Sequence, residues 1–162
     1  MKPVIKPESL DTPVVAALIG ALNAELDQRY PEAGANHFRL APDDVAPGRG
    51  VFLVAYAEDE AVGCGATRLN EPGTAEIKRM YVIPAYRGRG IAGQLLAALE
   101  DHAKALGARQ LVLETGDRQP ESLAVYHRAG FEEIPRFGEY VDSPLSVCMG
   151  KALEPGAQDL PS

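Results

Sequence analysis

The sequence is short of every feature that would place it outside a soluble fold. It has no apolar run of the ~20 residues that a membrane-crossing helix needs. Its opening, Met1-Lys2-Pro3-Val4, carries no apolar stretch of signal-peptide type, so a cytoplasmic protein is expected. Cysteine is scarce. Cys64 and Cys148 stand far apart in apolar stretches without the spacing of a metal site or redox pair, which suits small buried hydrophobes in a reducing compartment. His37, His102 and His127 are scattered, the last two among charged residues of predicted helices, and no metal site is expected. Basic residues are outnumbered, 16 Lys and Arg against 23 Asp and Glu. The formal net charge of -7 excludes a general affinity for nucleic acid or anionic membrane. There is no internal repeat and no low-complexity segment.

What is present suits one domain spanning residues 1–162, since 162 residues with 46% hydrophobic side chains can bury a core. A short edge strand is expected around Val4. Asp11-Thr12-Pro13 is a helix start, and Val14 to Arg29 reads as a helix that Pro31 ends. Residues 31–50 are rich in Pro, Gly, Ala and Asp and read as a loop or broken helix able to cover a substrate. Val51–Tyr56 and Ala61–Leu69 form a hairpin about Glu58-Asp59-Glu60, and Ala75–Val82 adds a third antiparallel strand. Ala92, Leu96, Leu99, Ala103 and Leu106 make an apolar stripe along a helix over 90–106, stopped by Gly107. Arg109–Glu114 is a strand, Pro120–Ala129 a short helix closed by Gly130, and Phe131–Ile134 and Leu145–Met149 two last strands. The strand–helix–strand unit in the middle requires a local parallel pair with a right-handed crossover. The expected fold is α/β in the mixed α+β sense: a mostly antiparallel sheet with helices on both faces.

The loop Arg87-Gly88-Arg89-Gly90-Ile91-Ala92-Gly93 is the most informative feature. Glycine lets backbone N–H groups approach a pyrophosphate, and a helix N-terminus adds its dipole. Gly88 to Gly93 fits the dinucleotide pattern G-x-G-x-x-G, and Glu114 ends the next strand where a ribose-binding carboxylate would stand. Against a doubly wound NAD-binding domain, four residues beginning Ile83-Pro84 separate strand from loop. The preceding strands form hairpins, and only 48 residues follow Glu114. A P-loop is excluded because no Lys-Ser or Lys-Thr follows the last glycine.

Arg87-Gly88-Arg89-Gly90-Ile91-Ala92 resembles the R/Q-x-x-G-x-G/A signature of the GNAT superfamily of N-acetyltransferases. Around it, Ala75–Pro84 looks like that family's fourth strand, Leu111–Thr115 like its fifth, and Gln119–Phe131 like its Asn-to-Tyr…Gly-Phe helix. The resemblance covers residues 50–151 well and the first 50 poorly. It implies a sheet whose central parallel strands splay apart, with acetyl-CoA as cosubstrate. Backbone groups of Met80, Tyr81 and Val82 would pair with the pantetheine arm, and one N–H, that of Tyr81 or Val82, would face the thioester oxygen. N–H groups from Arg87 through Gly88, Arg89, Gly90, Ile91 and Ala92 to Gly93 would hold the pyrophosphate, with Arg87 and Arg89 adding charge. Gln119 stands where relatives carry an Asn that contacts the cofactor arm.

Acetyl transfer to an amine needs a base, because an ammonium near the lysine pKa of about 10.4 is no nucleophile at neutral pH. The leaving thiolate benefits from a proton. Tyr126 aligns with the tyrosine that supplies it in many relatives. The competing reading is an aromatic packed on a short helix. Glu76, eleven residues before Arg87, matches a glutamate that serves as base in the histone acetyltransferase branch. Glu114 is the second candidate, and a water chain is the third. Strand parity does not decide, because a bulge near Met80 would exchange the faces. Arg68, Lys78 and Arg79 flank the expected acceptor cleft of an acidic protein. They suit an acceptor with a carboxylate, such as an amino acid, unless they are paired to strand acids. The expected partner is a small-molecule amine bound by a monomer or homodimer. An acyl-CoA sensor without turnover and a protein or peptide N-acetyltransferase are the alternatives.

Overall fold

A computed structural model of the chain describes residues 2–31 and 40–154. Among these residues seven strands form one sheet in the order β1-β2-β3-β4-β5-β7-β6. They are β1 (Val4–Pro7), β2 (Gly50–Ala57), β3 (Glu60–Glu71), β4 (Thr74–Val82), β5 (Gln110–Gly116), β6 (Glu132–Ile134) and β7 (Ser146–Ala152). All neighbours pair antiparallel except β4 and β5, the parallel pair that the crossover demands. This order excludes the doubly wound alternative, which needs a run of parallel strands.

Among the described residues three α-helices cover the sheet: α1 (Pro13–Arg29), α2 (Ile91–Ala105) and α3 (Pro120–Arg128). Thr12 caps α1, its hydroxyl accepting from the Val15 N–H at 3.3 Å, and Pro13 occupies the first turn. Val15, Leu18 and Leu22 of α1 pack on Phe52, Val54, Cys64 and Tyr81. The alternate β2 residues Leu53 and Ala55 face the opposite way, onto α2, whose Leu95, Leu96 and Leu99 share a core with Tyr126 of α3. The two faces therefore have separate cores. The stripe of α2 is centred one position from expectation. Ile91, Leu95, Leu96, Leu99 and Ala103 are buried, whereas Ala92 is only partly covered and Leu106 is the C-terminal cap. Of the loop expected over 31–50, residues 32–39, with His37, lie outside the described residues. Pro42–Val45 forms one 3₁₀ turn.

Two irregularities shape the middle of the sheet. Pairing between β4 and β5 runs only from Thr74–Gln110 to Ile77–Leu113, after which the strands part. On the other edge of β4, Cys64 pairs with Tyr81 and Ala66 with Lys78, so the single residue Gly65 faces two, Arg79 and Met80. This is a β-bulge with Arg79 at a φ of 60°. A Cβ on Gly65 would stand 2.6 Å from the Met80 sulfur, so glycine there makes room for the bulge. Beyond it the side-chain alternation is reversed. Ala75 and Ile77 face α2, whereas Arg79 and Tyr81 turn to the α1 side.

Candidate active site

The glycine loop leaves β4 through Ile83 and a 3₁₀ turn at Pro84–Tyr86, and it ends at Gly90, the N-cap of α2, which sits at a left-handed φ of 81°. Gly88 is also left-handed, at 79°. No side chain caps α2. Its first N–H groups therefore lack intrahelical acceptors and carry the positive end of the helix dipole. A Cβ on Gly88, Gly90 or Gly93 would meet nothing within 4 Å. The loop is an open cradle of backbone donors, the arrangement that binds phosphate.

From this cradle a groove of about 770 Å3 runs between α2 and α3 along the parted edge of β4, past Met80, Tyr81 and Val82, to Gln119 and Tyr126. A smaller cavity of about 110 Å3 opens on the α1 side between β4 and β5, lined by Lys78, Arg79, Glu114 and Tyr140. Met80, Gln119, Ser122 and Tyr126 line both. Tyr126 thus stands where the long groove meets the small cleft. Its ring meets Phe131 edge-on at 6.0 Å, and its hydroxyl has no hydrogen-bond partner among the described residues. Burial pushes its pKa well above the ordinary tyrosine value.

The loop arginines take different roles. Arg87 turns inward: its Nε donates to the Val82 carbonyl at 2.8 Å and its Nη2 pairs with Glu25 of α1 at 2.7 Å. It ties the loop to both β4 and α1. Arg89 lies exposed, its guanidinium 4.7 Å from the centre of the Tyr86 ring.

Of the two candidate bases, Glu76 does not open onto the cleft. It is 1% exposed and lines neither cavity. Arg68 donates to its Oε1 at 3.0 Å, and the Tyr140 hydroxyl donates to its Oε2 at 2.6 Å. Glu114 does line the cleft, with the Ser146 hydroxyl bonded to its Oε2. Burial, followed by the opposing Ser146 hydrogen bond and then the nearby Glu76 charge, leaves its pKa above the usual carboxylate range. The bulge lies past Glu76, which faces a buried network on the α1 side.

The three cations separate as well. Arg68 pairs with Asp44 at 3.1 Å and Glu76 at 3.0 Å. Lys78 pairs with Glu139 at 3.3 Å and donates to the Tyr140 hydroxyl at 3.2 Å. Arg79 donates through Nη1 to the neutral Asn23 side chain at 2.9 Å. Sequence reasoning missed Tyr140, which sits on a 3₁₀ turn at Gly138–Tyr140 between β6 and β7, and Tyr30, just past α1. The Tyr30 hydroxyl accepts from the Arg118 N–H at 2.6 Å, and its ring lies where a Cβ on Gly116 would be. Neither belongs to a repeating pattern. The one sequence signal was Gly116 at the end of an apolar strand, where backbone and side chain meet closely.

The profile described as Acetyltransferase (GNAT) family matches residues 18–131. Over 144 residues the chain is 41% identical to the IAA acetyltransferase of Azospirillum brasilense, covering 86% of this chain and 90% of that protein. It is 32% identical over 130 residues to an uncharacterized N-acetyltransferase of Escherichia coli, covering 76% and 78%. A solved structure from Klebsiella pneumoniae, provisionally described as an acyl-CoA N-acyltransferase, matches with a TM-score of 0.82 at 35% identity, over 94% of this chain and 98% of that one. An Elizabethkingia anophelis GNAT family acetyltransferase, solved with acetyl-CoA bound, shares the fold at a TM-score of 0.68 and 22% identity, over 94% and 99%.

The buried network generates a stability prediction. In Arg68→Met the fully buried Glu76 loses its cationic partner, and breaking such a pair costs about 3–5 kcal/mol. Urea unfolding should show that loss. Arg68→Met with Glu76→Gln should recover much of it, because the uncompensated charge is gone.

Proposed function

This chain belongs to the acetyltransferase (GNAT) family, and from that premise we propose that it moves an acetyl group from acetyl-CoA to the primary amine of a small molecule, with residues 1–162 working as one catalytic domain. The observation that carries this reading is the open cradle at the start of α2, joined by one groove to the unpartnered hydroxyl of Tyr126. Backbone N–H groups of Gly88 to Gly93 hold the pyrophosphate. The edge of β4 freed beyond Ile77 lets Met80, Tyr81 and Val82 pair with the extended pantetheine arm as another strand would. Gln119 faces the same groove and offers its amide. The cleft of about 110 Å3 favours a small acceptor over a folded protein segment.

The residues then divide the chemistry. The acceptor amine enters the cleft beside Glu114, whose raised pKa makes it a stronger base than an ordinary carboxylate. Glu114 removes the proton that the ammonium must lose before attack. A backbone N–H of Tyr81 or Val82 donates to the oxyanion as it forms. Tyr126, which keeps its proton at neutral pH, donates to the departing sulfur. A thiolate sealed in the same dry groove has its own proton affinity raised, which favours the transfer. Glu76 acts from behind, holding Tyr140 and Arg68 and so the wall of the cleft.

Three outcomes test this. Acetyl-CoA at about 100 times its dissociation constant should stabilise the protein by about 2.7 kcal/mol, and NAD should not. Gly90→Val should lose that thermal shift, because a β-branched side chain is strained at the positive φ and fills the cradle. Release of CoA thiol with a panel of small amines tests turnover, and Tyr126→Phe should slow it about a hundredfold while acetyl-CoA affinity changes little.

Glu114 should leave a signature in pH. Catalytic efficiency should rise with pH through its elevated folded pKa, and Glu114→Gln should remove that limb. The stability effect has the opposite sign. A carboxylate whose folded pKa exceeds its unfolded value costs stability once ionised, and that cost is relieved as pH falls through the folded pKa. Glu114→Gln should therefore raise the melting temperature at about pH 8 and lose this advantage in acid.

A further inference from the structure

We propose that Arg79 binds a carboxylate on the acceptor, so that the acceptor class is small molecules carrying a carboxylate close to the reacting amine, free amino acids among them. The inference rests on the acetyl-transfer reading above and names its substrate class.

Among the described residues Arg79 forms no salt bridge, unlike its neighbours Arg68 and Lys78. A guanidinium has five N–H donors. Arg79 makes one hydrogen bond, to an amide oxygen that carries no charge, and its Nε is buried with no partner. A cation withdrawn from water without a counter-ion is costly, and such groups are normally paired. Burial accordingly pulls its pKa down. The protein leaves this positive charge uncompensated, and it leaves it in the wall of the acceptor cleft.

The backbone points the same way. Among the described residues Arg79 is one of three non-glycine residues with positive φ, and the other two, Glu58 and Asp59, form the hairpin turn between β2 and β3. In a regular strand residue 79 would share the face of Ile77 and point into the α2 core. The bulge, with its left-handed residue, turns the arginine onto the α1 side beside the cleft. A strained residue that persists in a strand calls for a reason, and here the strain delivers a charge to the cleft.

The opposite wall completes the match. Glu114 lines the cleft from β5 while Arg79 lines it from β4. An acceptor with one carboxylate and one ammonium meets a cation on one side and a carboxylate on the other. Its amine is then placed with the group that deprotonates it. An acceptor with a neutral amide in place of the carboxylate leaves the Arg79 charge as uncompensated as before.

The test uses pairs of free amino acids and their carboxamides with acetyl-CoA, read by CoA thiol release. At least one acid should exceed its amide by about tenfold to a hundredfold in kcat/KM. In Arg79→Gln that preference should fall to within about twofold, with KM for acetyl-CoA unchanged and the melting temperature of the free protein no lower. Amides equal to acids in every pair that turns over, or a preference that survives Arg79→Gln, overturns the inference. If no pair turns over while another small amine does, the inference is overturned; if no amine turns over at all, it is the acetyl-transfer reading that fails. Arg79 is then judged by thermal shift of the CoA-saturated protein. Stabilisation by the acid alone, lost in Arg79→Gln, supports carboxylate binding, and equal shifts overturn it. Should Arg79→Gln not fold, Arg79→Lys, which keeps the charge but not the planar fork, replaces it and should lose most of the preference.

Discussion

The site depends on two parallel strands that stay paired for only four residues. Paired strands lie about 4.8 Å apart and admit nothing between them. Once β4 and β5 part after Ile77 and Leu113, an edge of backbone donors and acceptors is exposed in the middle of a sheet. Such groups need partners, and an extended ligand arm can supply them. The separation is held from both sides. β5 stays paired to β7 along all seven of its residues, Gln110 to Gly116, while the bulge opposite Gly65 bends β4 away.

The same opening sets the electrostatics. The wedge between the strands fills with polar side chains that a closed sheet would exclude, and most of them are satisfied within the protein. Glu76, Arg68, Tyr140, Lys78 and Glu139 form one connected network that walls the cleft. Buried networks of this kind are worth having only when every member is paired. Glu114 and Arg79 stand apart from it and line the cleft, Glu114 bonded by the Ser146 hydroxyl and Arg79 with its Nε buried and without a partner among the described residues. Groups left unsatisfied beside fully satisfied ones mark where the protein gives up stability for ligand binding or chemistry.

α1 and the loops around it close the site from outside the glycine motif. Glu25 holds Arg87, Asn23 holds Arg79, and Tyr30 takes the Arg118 N–H while its ring sits against Gly116. A single helix therefore touches the glycine loop, the cleft between β4 and β5 and the turn into α3. Its apolar face packs on the sheet through Val15, Leu18 and Leu22, so these polar contacts are anchored to a core.

Element order, the parallel pair and the glycine cradle were legible in the sequence by itself, because each rests on local rules. Period-two and period-three-to-four patterns mark strands and helices, and Gly88 and Gly90 sit where the chain needs positive φ. A bulge near Met80 was an open possibility in the sequence, and the fold places it opposite Gly65. Which carboxylate lines the cleft was not legible, nor which of the three cations lacks an acid among the described residues. Glu76 and Glu114 look alike in sequence, as do Arg68, Lys78 and Arg79. Tertiary structure decided between them, because Tyr140, 64 residues from Glu76, and Asp44, 24 residues from Arg68, supply the partners. A charge is tuned by what lies within a few ångströms of it, and in a sheet built from distant strands those neighbours are set by the fold, not by the adjacent sequence.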